Sequence, residues 1–208
     1  MPAHTVRGQT CPMTTQDLDS PPRTSLWPAL LSALRGTVLE LGPGAGGNLR
    51  YFAPDVRWLG IEPRKTARDA TRTEVARLGL RGQVLPGHAE ELELADASVD
   101  AVVCSFVLCA VADQATVLRQ VRRVLRPGGR FVFAEHVAAP AGTWLRRGQN
   151  LLAAFPVRCR PNRETARAIA NAGFTVVDLH RFKIPGPFGL GVQHLAGAAE
   201  LTTEGHLS

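Results

Sequence analysis

Residues Thr37 to Asn48 read TVLELGPGAGGN. A β-branched and leucine run, an acid at Glu40 and glycines at Gly42, Gly44, Gly46 and Gly47 follow one another without a break. The run predicts a buried strand, and a glycine-rich turn at its end lets a ligand approach the main chain closely. The expected ligand is a nucleotide-like cofactor.

Gly42, Gly44 and Gly47 match the GxGxxG spacing of a dinucleotide site. Glu62 follows about 20 residues later, where an acid that binds ribose hydroxyls is expected. The spacing alone leaves several nucleotide-like ligands open. Glu40 separates them, because an acid beside the loop opposes a pyrophosphate but suits an ammonium group. S-adenosylmethionine (SAM) carries an ammonium, a sulfonium and no phosphate, so Glu40 favours SAM. In that reading Glu62 takes the ribose hydroxyls, and the helix N-terminus after the loop favours the methionine carboxylate.

Working outward, Ser25 to Arg35 has Trp27, Leu30, Leu31 and Leu34 at helical spacing, with Ser25 placed as its cap and Gly36 as its end. Asn48 to Phe52 begins a helix, Val56 to Ile61 reads as a second strand, Thr66 to Leu78 as a helix and Gly82 to Leu85 as a third strand. Gly87 to Ser98 is a polar loop, and the apolar run Val99 to Leu108 contains a fourth strand buried on both faces. Asp113 caps a helix with Val117, Leu118, Val121, Val124 and Leu125 on one side and an arginine face, read as solvated surface, on the other. Pro127, Gly128 and Gly129 stop it, and Arg130 to Val137 is a fifth strand. Glu164 to Asn171 is a helix, and Phe174 to Phe182 and Val192 to Ala199 are two late strands whose connection is too short for a helical crossover. The expected fold is therefore α/β: a Rossmann-like, doubly wound, seven-stranded and mostly parallel sheet with an antiparallel C-terminal hairpin.

The chain has 208 residues, enough for one full core, so residues 25–208 are expected to form one domain behind a flexible arm at 1–24. The arm has no signal-peptide core, and no apolar run reaches the roughly 18 residues of a membrane span, so a cytoplasmic location is expected. The net charge of +6 comes from scattered arginines, with Lys65 and Lys183 the only lysines, which argues against a nucleic-acid partner. Cys11, Cys104, Cys109 and Cys159 show neither CxxC nor zinc spacing and read as reduced thiols, the middle two as core. No metal is expected.

ELGPGAGG, the acid of GIEP, GHAEEL, DASVDAVVCSFVL and RRVLRPGG occur in the order found in class I SAM-dependent methyltransferases, and the chain resembles that family from about Leu26 to Ala199. Within it the chain is most similar to the methyltransferase-like group that includes membrane-associated alkyl thiol methyltransferases. VVCSFVLCAV (102–111), VRRVLRPGG (121–129), FAEHVA (133–138), CRPNRET (Cys159 to Thr165) and His194 carry that likeness. The resemblance implies cofactor contacts at Glu40, Gly42, Gly44, Gly46, Asn48, Glu62, Pro63, His88, Ala89, Glu90, Cys104 and Ser105. There are two departures. A polar arm stands where the family has a hydrophobic N-terminal anchor, and His88 replaces a frequent acid, which leaves the main chain of Ala89 and Glu90 to be carried over there.

Methyl transfer from a sulfonium is an in-line displacement, so alignment and exclusion of water are the main demands. A thiol nucleophile, with a free pKa of about 8.5, gains from a positive or hydrogen-bonding pocket. His136 and His194 are the candidate catalytic residues. A histidine after a parallel strand also serves simply to cap a neighbouring element. Arg163 and Glu164 either line the entrance or form an ion pair at a helix start, and Pro185 to Leu190 with the arm are expected covers. The expected activity is methylation of a small-molecule acceptor, with a thiol implied by the resemblance and an O- or N-methyltransferase of secondary metabolism as the alternative. An NAD-dependent oxidoreductase would need a hydride-transfer set, and the chain offers Tyr51 without a Tyr-x-x-x-Lys pair. A non-catalytic SAM-binding module is expected to have lost a site acid or glycine, whereas Glu40, Gly42, Gly44 and Glu62 are all present.

Overall fold

The computed structural model describes residues 26–155, 159–185 and 191–201. The expected arm, the Ser25 cap, Cys11 and most of the expected 185–190 cover lie outside them. The elements run α1 (Leu26–Ser32), β1 (Thr37–Leu41), a single 3-10 turn (Leu49–Tyr51), β2 (Arg57–Ile61), α2 (Lys65–Leu78), β3 (Arg81–Leu85), β4 (Val99–Ser105), α3 (Gln114–Val124), β5 (Leu125–His136), α4 (Trp144–Ala153), α5 (Thr165–Asn171), β6 (Phe174–Pro185) and β7 (Gly191–Leu201).

One seven-stranded sheet has the order β3-β2-β1-β4-β5-β7-β6. β1 to β5 are parallel, and β7 enters antiparallel between β5 and β6. The expected hairpin is thus present, with its second strand inside and its first at the edge. Chain order reverses between β1 and β4, and in open α/β sheets such a point places the ligand crevice beyond the carboxyl ends of the strands.

Alternation along the central strands feeds two cores. Val38 and Val103 face one with Trp27, Leu31, Trp58 and Val75, while Leu39 and Val102 face the other with Val117, Leu118, Val121 and Ile169. Each fully buried large aliphatic side chain contributes about 1.5–3 kcal/mol of burial energy, so the central strands are held from both sides. Local signals mark the helix ends. The Asp113 carboxylate accepts from Ala115 N at 2.9 Å at the start of α3, and Gly79 ends α2 with φ +65°.

Three expectations need correction. β5 begins at Leu125, which already pairs with Val99; the ladder then resumes at Ala101 and Arg130, so residues 126–129 loop out of it. The short helix after the glycine loop is one 3-10 turn. The segment between β5 and α5 contains α4, which has no counterpart in the predicted elements. Its local signal is Thr143, whose hydroxyl accepts from Arg146 N at 3.2 Å. The helix leaves Trp144, Leu151 and Leu152 exposed. A buried polar side chain docks it instead: Gln149 accepts from Ala139 N at 2.7 Å and donates to Val137 O at 3.2 Å.

Candidate active site

The glycine loop leaves β1 with positive φ at Gly42, Gly44 and Gly46, backbone that disfavours a side chain. A Cβ on Gly42 would meet Val107 Cγ2 at 2.7 Å, so Gly42 is also packed tightly, whereas a Cβ on Gly44 would meet nothing within 4 Å. Gly44 is the bare main chain that faces open space. Thr71 of α2 donates its hydroxyl to Gly44 O at 2.7 Å and holds the turn from behind.

Glu62, at the carboxyl end of β2, points back at this turn. Its buried carboxylate accepts from Gly44 N at 3.2 Å, from Arg64 N at 3.0 Å and from Arg64 Nε at 3.1 Å. The loop and the second acid therefore form one unit, with Pro63 exposed beside them. A cofactor that brings ribose hydroxyls to Glu62 and its chain past Gly44 fits these residues.

Glu40 sits differently from its sequence-level role. It is fully buried, and both carboxyl oxygens are already engaged: Asn48 Nδ2 donates at 2.7 Å and Trp58 Nε1 at 2.9 Å. Burial is the largest influence and raises its pKa from an ordinary 4.5 to about 7, against the pull of the two donors. Glu40 thus organises the loop from below. Asn48 completes the connection, accepting from Trp27 Nε1 at 2.9 Å and donating to Ser105 Oγ at 3.2 Å. Asn48 thereby ties α1, β1 and β4 together beneath the loop, and Glu40 adds β2 through Trp58. Trp58, the second donor, lies 18 residues from Glu40, and an indole at that separation carries no local sequence signal.

On the next strand Ser105 joins the network, but the Cys104 thiol does not face the crevice. It is buried in the core 3.5 Å from Glu135 Oε1, and burial followed by the nearby acid pushes its pKa well above the ordinary thiol range. His88 is exposed and bridges through its main chain to Glu91, with Ala89 and Glu90 half-buried beside it. Arg123, expected on a solvated face, holds this loop. Its guanidinium donates to Leu92 O and Leu94 O, both near 2.7 Å, and pairs with Asp96 at 2.7 Å.

The two candidate histidines, distant in sequence, are register partners on β5 and β7. Their rings lie 4.6 Å apart, His136 is 5.0 Å from the ring of Phe106, and His194 stacks on Phe182 at 5.5 Å. Phe106 has φ +56°, a strained conformation for a non-glycine residue at the carboxyl end of β4. His194 Nδ1 lies 2.8 Å from Val192 O; a carbonyl only accepts, so Nδ1 carries a proton, which in the neutral ring leaves the lone pair on Nε2. His136 Nδ1 is 3.3 Å from Cys109 Sγ and 3.2 Å from Cys159 Sγ. Cys109 is therefore more than core filling.

Glu135, buried next to His136 in sequence, accepts from Val107, Leu108 and Cys109 main-chain N–H groups at 3.0, 2.8 and 2.9 Å. Burial raises its pKa despite these bonds. Arg163 does not pair with Glu164; Arg146 and Arg167 do, at 3.0 and 3.5 Å. Arg163 instead donates to Leu108 O, Val111 O and Ala112 O at 2.8, 2.5 and 3.2 Å, and its desolvation lowers its pKa. It lines a cavity of about 230 Å³ with Val137, Glu164 and Leu195. Leu195 faces the opposite side of the sheet from its neighbour His194, so this cavity is separate from the histidine pair.

The chain is similar to known proteins. Residues 39–133 match a family model described as a methyltransferase domain. The chain is 35% identical over 170 residues to the human thiol S-methyltransferase TMT1A, covering 78% of this chain and 70% of that protein. The chain belongs to the class I SAM-dependent methyltransferases. As a member of that family it is an enzyme that uses SAM as methyl donor for a small-molecule acceptor. A second human relative, thiol S-methyltransferase TMT1B, is 36% identical over 152 residues, which cover 69% of this chain and 62% of its own. The chain thus spans about two thirds of the length of these relatives. Among solved structures, the Bacillus subtilis YcgJ protein superposes with a TM-score of 0.70 at 17% identity, over 91% of this chain and 100% of that one. Among the described residues, no helix is long and apolar enough to cross a membrane.

Proposed function

We propose that this methyltransferase acts on the sulfur of a small thiol, with the acceptor seated against Phe106, His136, His194 and Phe182. The pairing of the two imidazoles in an aromatic frame at the carboxyl ends of β4 and β5 carries this reading. Imidazole, with a pKa of about 6.5, is a weak match for an alcohol or a phenol of pKa about 10, and a close one for a thiol at about 8.5. The names of the two human relatives support the same acceptor class.

SAM supplies an electrophilic methyl group on a sulfonium. The chain's own residues do the rest. Glu62 takes the ribose hydroxyls, Gly42, Gly44 and Gly46 allow close approach of the main chain, and Asn48 and Ser105, held on Glu40, fix the floor. Pro63, His88, Ala89, Glu90 and the main chain of Cys104 line the rim. Phe106 and Phe182 exclude water, His194 Nε2 accepts the thiol proton, and His136 braces His194 across the register pair. Cys104, Cys109 and Cys159 are thiols, which fits a reducing compartment such as the cytoplasm.

The test is incubation with methyl-labelled SAM and a panel of aliphatic thiols, aromatic thiols, phenols and amines. Label is expected in thioethers, and His194→Asn is expected to lower kcat/KM for thiols by roughly 10²–10⁴-fold, the contribution of a positioned base. Label confined to phenols or amines would overturn the assignment.

A further inference from the structure

Cys109, His136 and Cys159 bring three soft-metal donors together from three separate segments. The two sulfurs and a histidine nitrogen lie within 4.8 Å of one another, with Nδ1 at 3.3 and 3.2 Å from the two sulfurs. A tetrahedral zinc ion with bonds of about 2.3 Å to sulfur and about 2.0–2.1 Å to nitrogen needs sulfur–nitrogen separations of about 3.5 Å and a sulfur–sulfur separation of about 3.8 Å. Shifts of a few tenths of an ångström in the sulfur–nitrogen separations, with the sulfur–sulfur separation brought from at most 4.8 Å to about 3.8 Å, turn the observed arrangement into a metal site.

The surroundings hold these donors in place. Cys109 N–H donates to Glu135 at 2.9 Å, and Arg160 N–H donates to Cys109 O at 2.8 Å, which pins the segment carrying Cys159 to the loop carrying Cys109. The His136 ring is packed between Phe106 and His194, and the main chain on either side of it is paired, His136 with His194 and Val137 N–H with Gln193 O at 3.0 Å. Such outer contacts orient ligands and are part of a metal site's design. Two thiolates and one divalent ion sum to zero charge, which suits a buried position, and the Glu135 carboxyl and the Arg163 guanidinium are the ionisable neighbours of the two cysteines.

We propose that Cys109, His136 and Cys159 bind a zinc ion with three protein ligands, and that its open fourth position takes the acceptor thiol. The pattern of three protein ligands and one open position is that of catalytic zinc. This inference rests on the thiol reading above and supplies what the histidines alone lack. A free thiol of pKa about 8.5 is largely protonated near neutral pH, whereas a thiol on a metal ion is deprotonated. The acceptor S–H gives its proton to His194 Nε2 as its sulfur bonds to zinc. The sulfur lone pair then forms the new S–CH3 bond while the sulfonium S–CH3 bond breaks, its electron pair returning to the cofactor sulfur as S-adenosylhomocysteine. The product thioether is neutral and a poor ligand, so it leaves the ion.

The test uses the full chain, reduced, stripped with a chelator and titrated with Co2+ as a spectroscopic stand-in for zinc. One equivalent is expected to bind with tetrahedral visible bands and a sulfur-to-cobalt charge-transfer band in the near ultraviolet. Cys159→Ser, at a half-buried position that tolerates the change, is expected to halve that band and weaken metal affinity by at least the roughly 10–100-fold that loss of an outer contact costs. Cys109→Ser is the second variant, checked for folding by circular dichroism. Addition of an acceptor thiol is expected to raise the charge-transfer band by about half as a third sulfur enters. No sulfur-to-cobalt band, or a band unchanged by Cys159→Ser, overturns the metal site. A band that acceptor thiols leave unchanged overturns the open position. Thiol methylation that is retained by the stripped chain without metal binding overturns the metal and keeps the acceptor class, whereas metal binding with methylation of phenols or amines alone overturns the thiol reading.

Discussion

Replacement of Glu40 by glutamine tests the network beneath the glycine loop most directly. Below about pH 4.5 this carboxyl is protonated in both the folded and the unfolded chain. Between 4.5 and about 7 only the unfolded chain ionises it, because burial holds the folded pKa at about 7. Glu40 therefore contributes its full stability in acid and loses it as pH rises through this window. At about 1.36 kcal/mol per pKa unit the loss is about 3 kcal/mol, most of it between about pH 5 and about pH 8. Glutamine does not ionise, but its amide has one acceptor for two donors, so Asn48 Nδ2 or Trp58 Nε1 faces an NH2 at a cost of about 1–3 kcal/mol at every pH. Glu40→Gln is expected to be clearly less stable than the wild type near pH 5, with the gap closing by about 2–3 kcal/mol near pH 8. Urea unfolding of both proteins, followed by tryptophan fluorescence across that range, measures the gap; other titrating groups cancel in the difference. A gap that does not change with pH would show that Glu40 ionises normally and that the buried network is wrong.

Further outcomes follow from the same geometry. Glu62→Ala is expected to weaken S-adenosylhomocysteine binding by about 1.5–3 kcal/mol in calorimetric titration, and unchanged affinity would remove Glu62 from the ribose site. Gly44→Ala places a methyl group in the left-handed region, where it meets no neighbour, so unfolding experiments are expected to show a cost of only about 1–2 kcal/mol while cofactor titration shows a much larger loss. Equal losses in the two measurements would mean that the open space in front of Gly44 is not the cofactor's. Arg163→Met removes a guanidinium bonded to three carbonyls between β4 and α3 and is expected to destabilise the chain by about 2 kcal/mol or more in urea. A change within about 0.5 kcal/mol would be that of an ordinary surface residue.

The parts of this enzyme legible in its sequence are those written in local patterns. TVLEL followed by glycines marks a strand and a turn, Asp113 marks a helix start, and the alternation of strand and helix requires a covered parallel sheet. The spacing from Gly42 to Glu62 was enough to place an acid against the loop, and the structure joins Glu62 to Gly44 N. Helix α4 has no counterpart among the elements expected from sequence: its large apolar residues Trp144, Leu151 and Leu152 face outward, and its docking rests on Gln149, a polar side chain whose burial no local pattern announces.

What only tertiary structure decides is which chemically capable residues meet. The sheet order sets β7 antiparallel to β5, and the register of that pair, not any spacing, puts His136 opposite His194. A slip of one residue would send either ring to the other face of the sheet. Glu40 was identified by its type, yet its role depends on Trp58 and Asn48 arriving from other elements to satisfy and bury it. Cys109 and Cys159 showed no metal-ligand spacing because their neighbourhood is made by the loop after β4 and the segment before α5, which converge on β5 through hydrogen bonds to Glu135 and Cys109. Chain-local patterns determine strands, turns and the cofactor loop, because those depend on period and backbone freedom. The pairing of distant strands determines the proposed acceptor side, because proximity there is a property of the folded sheet.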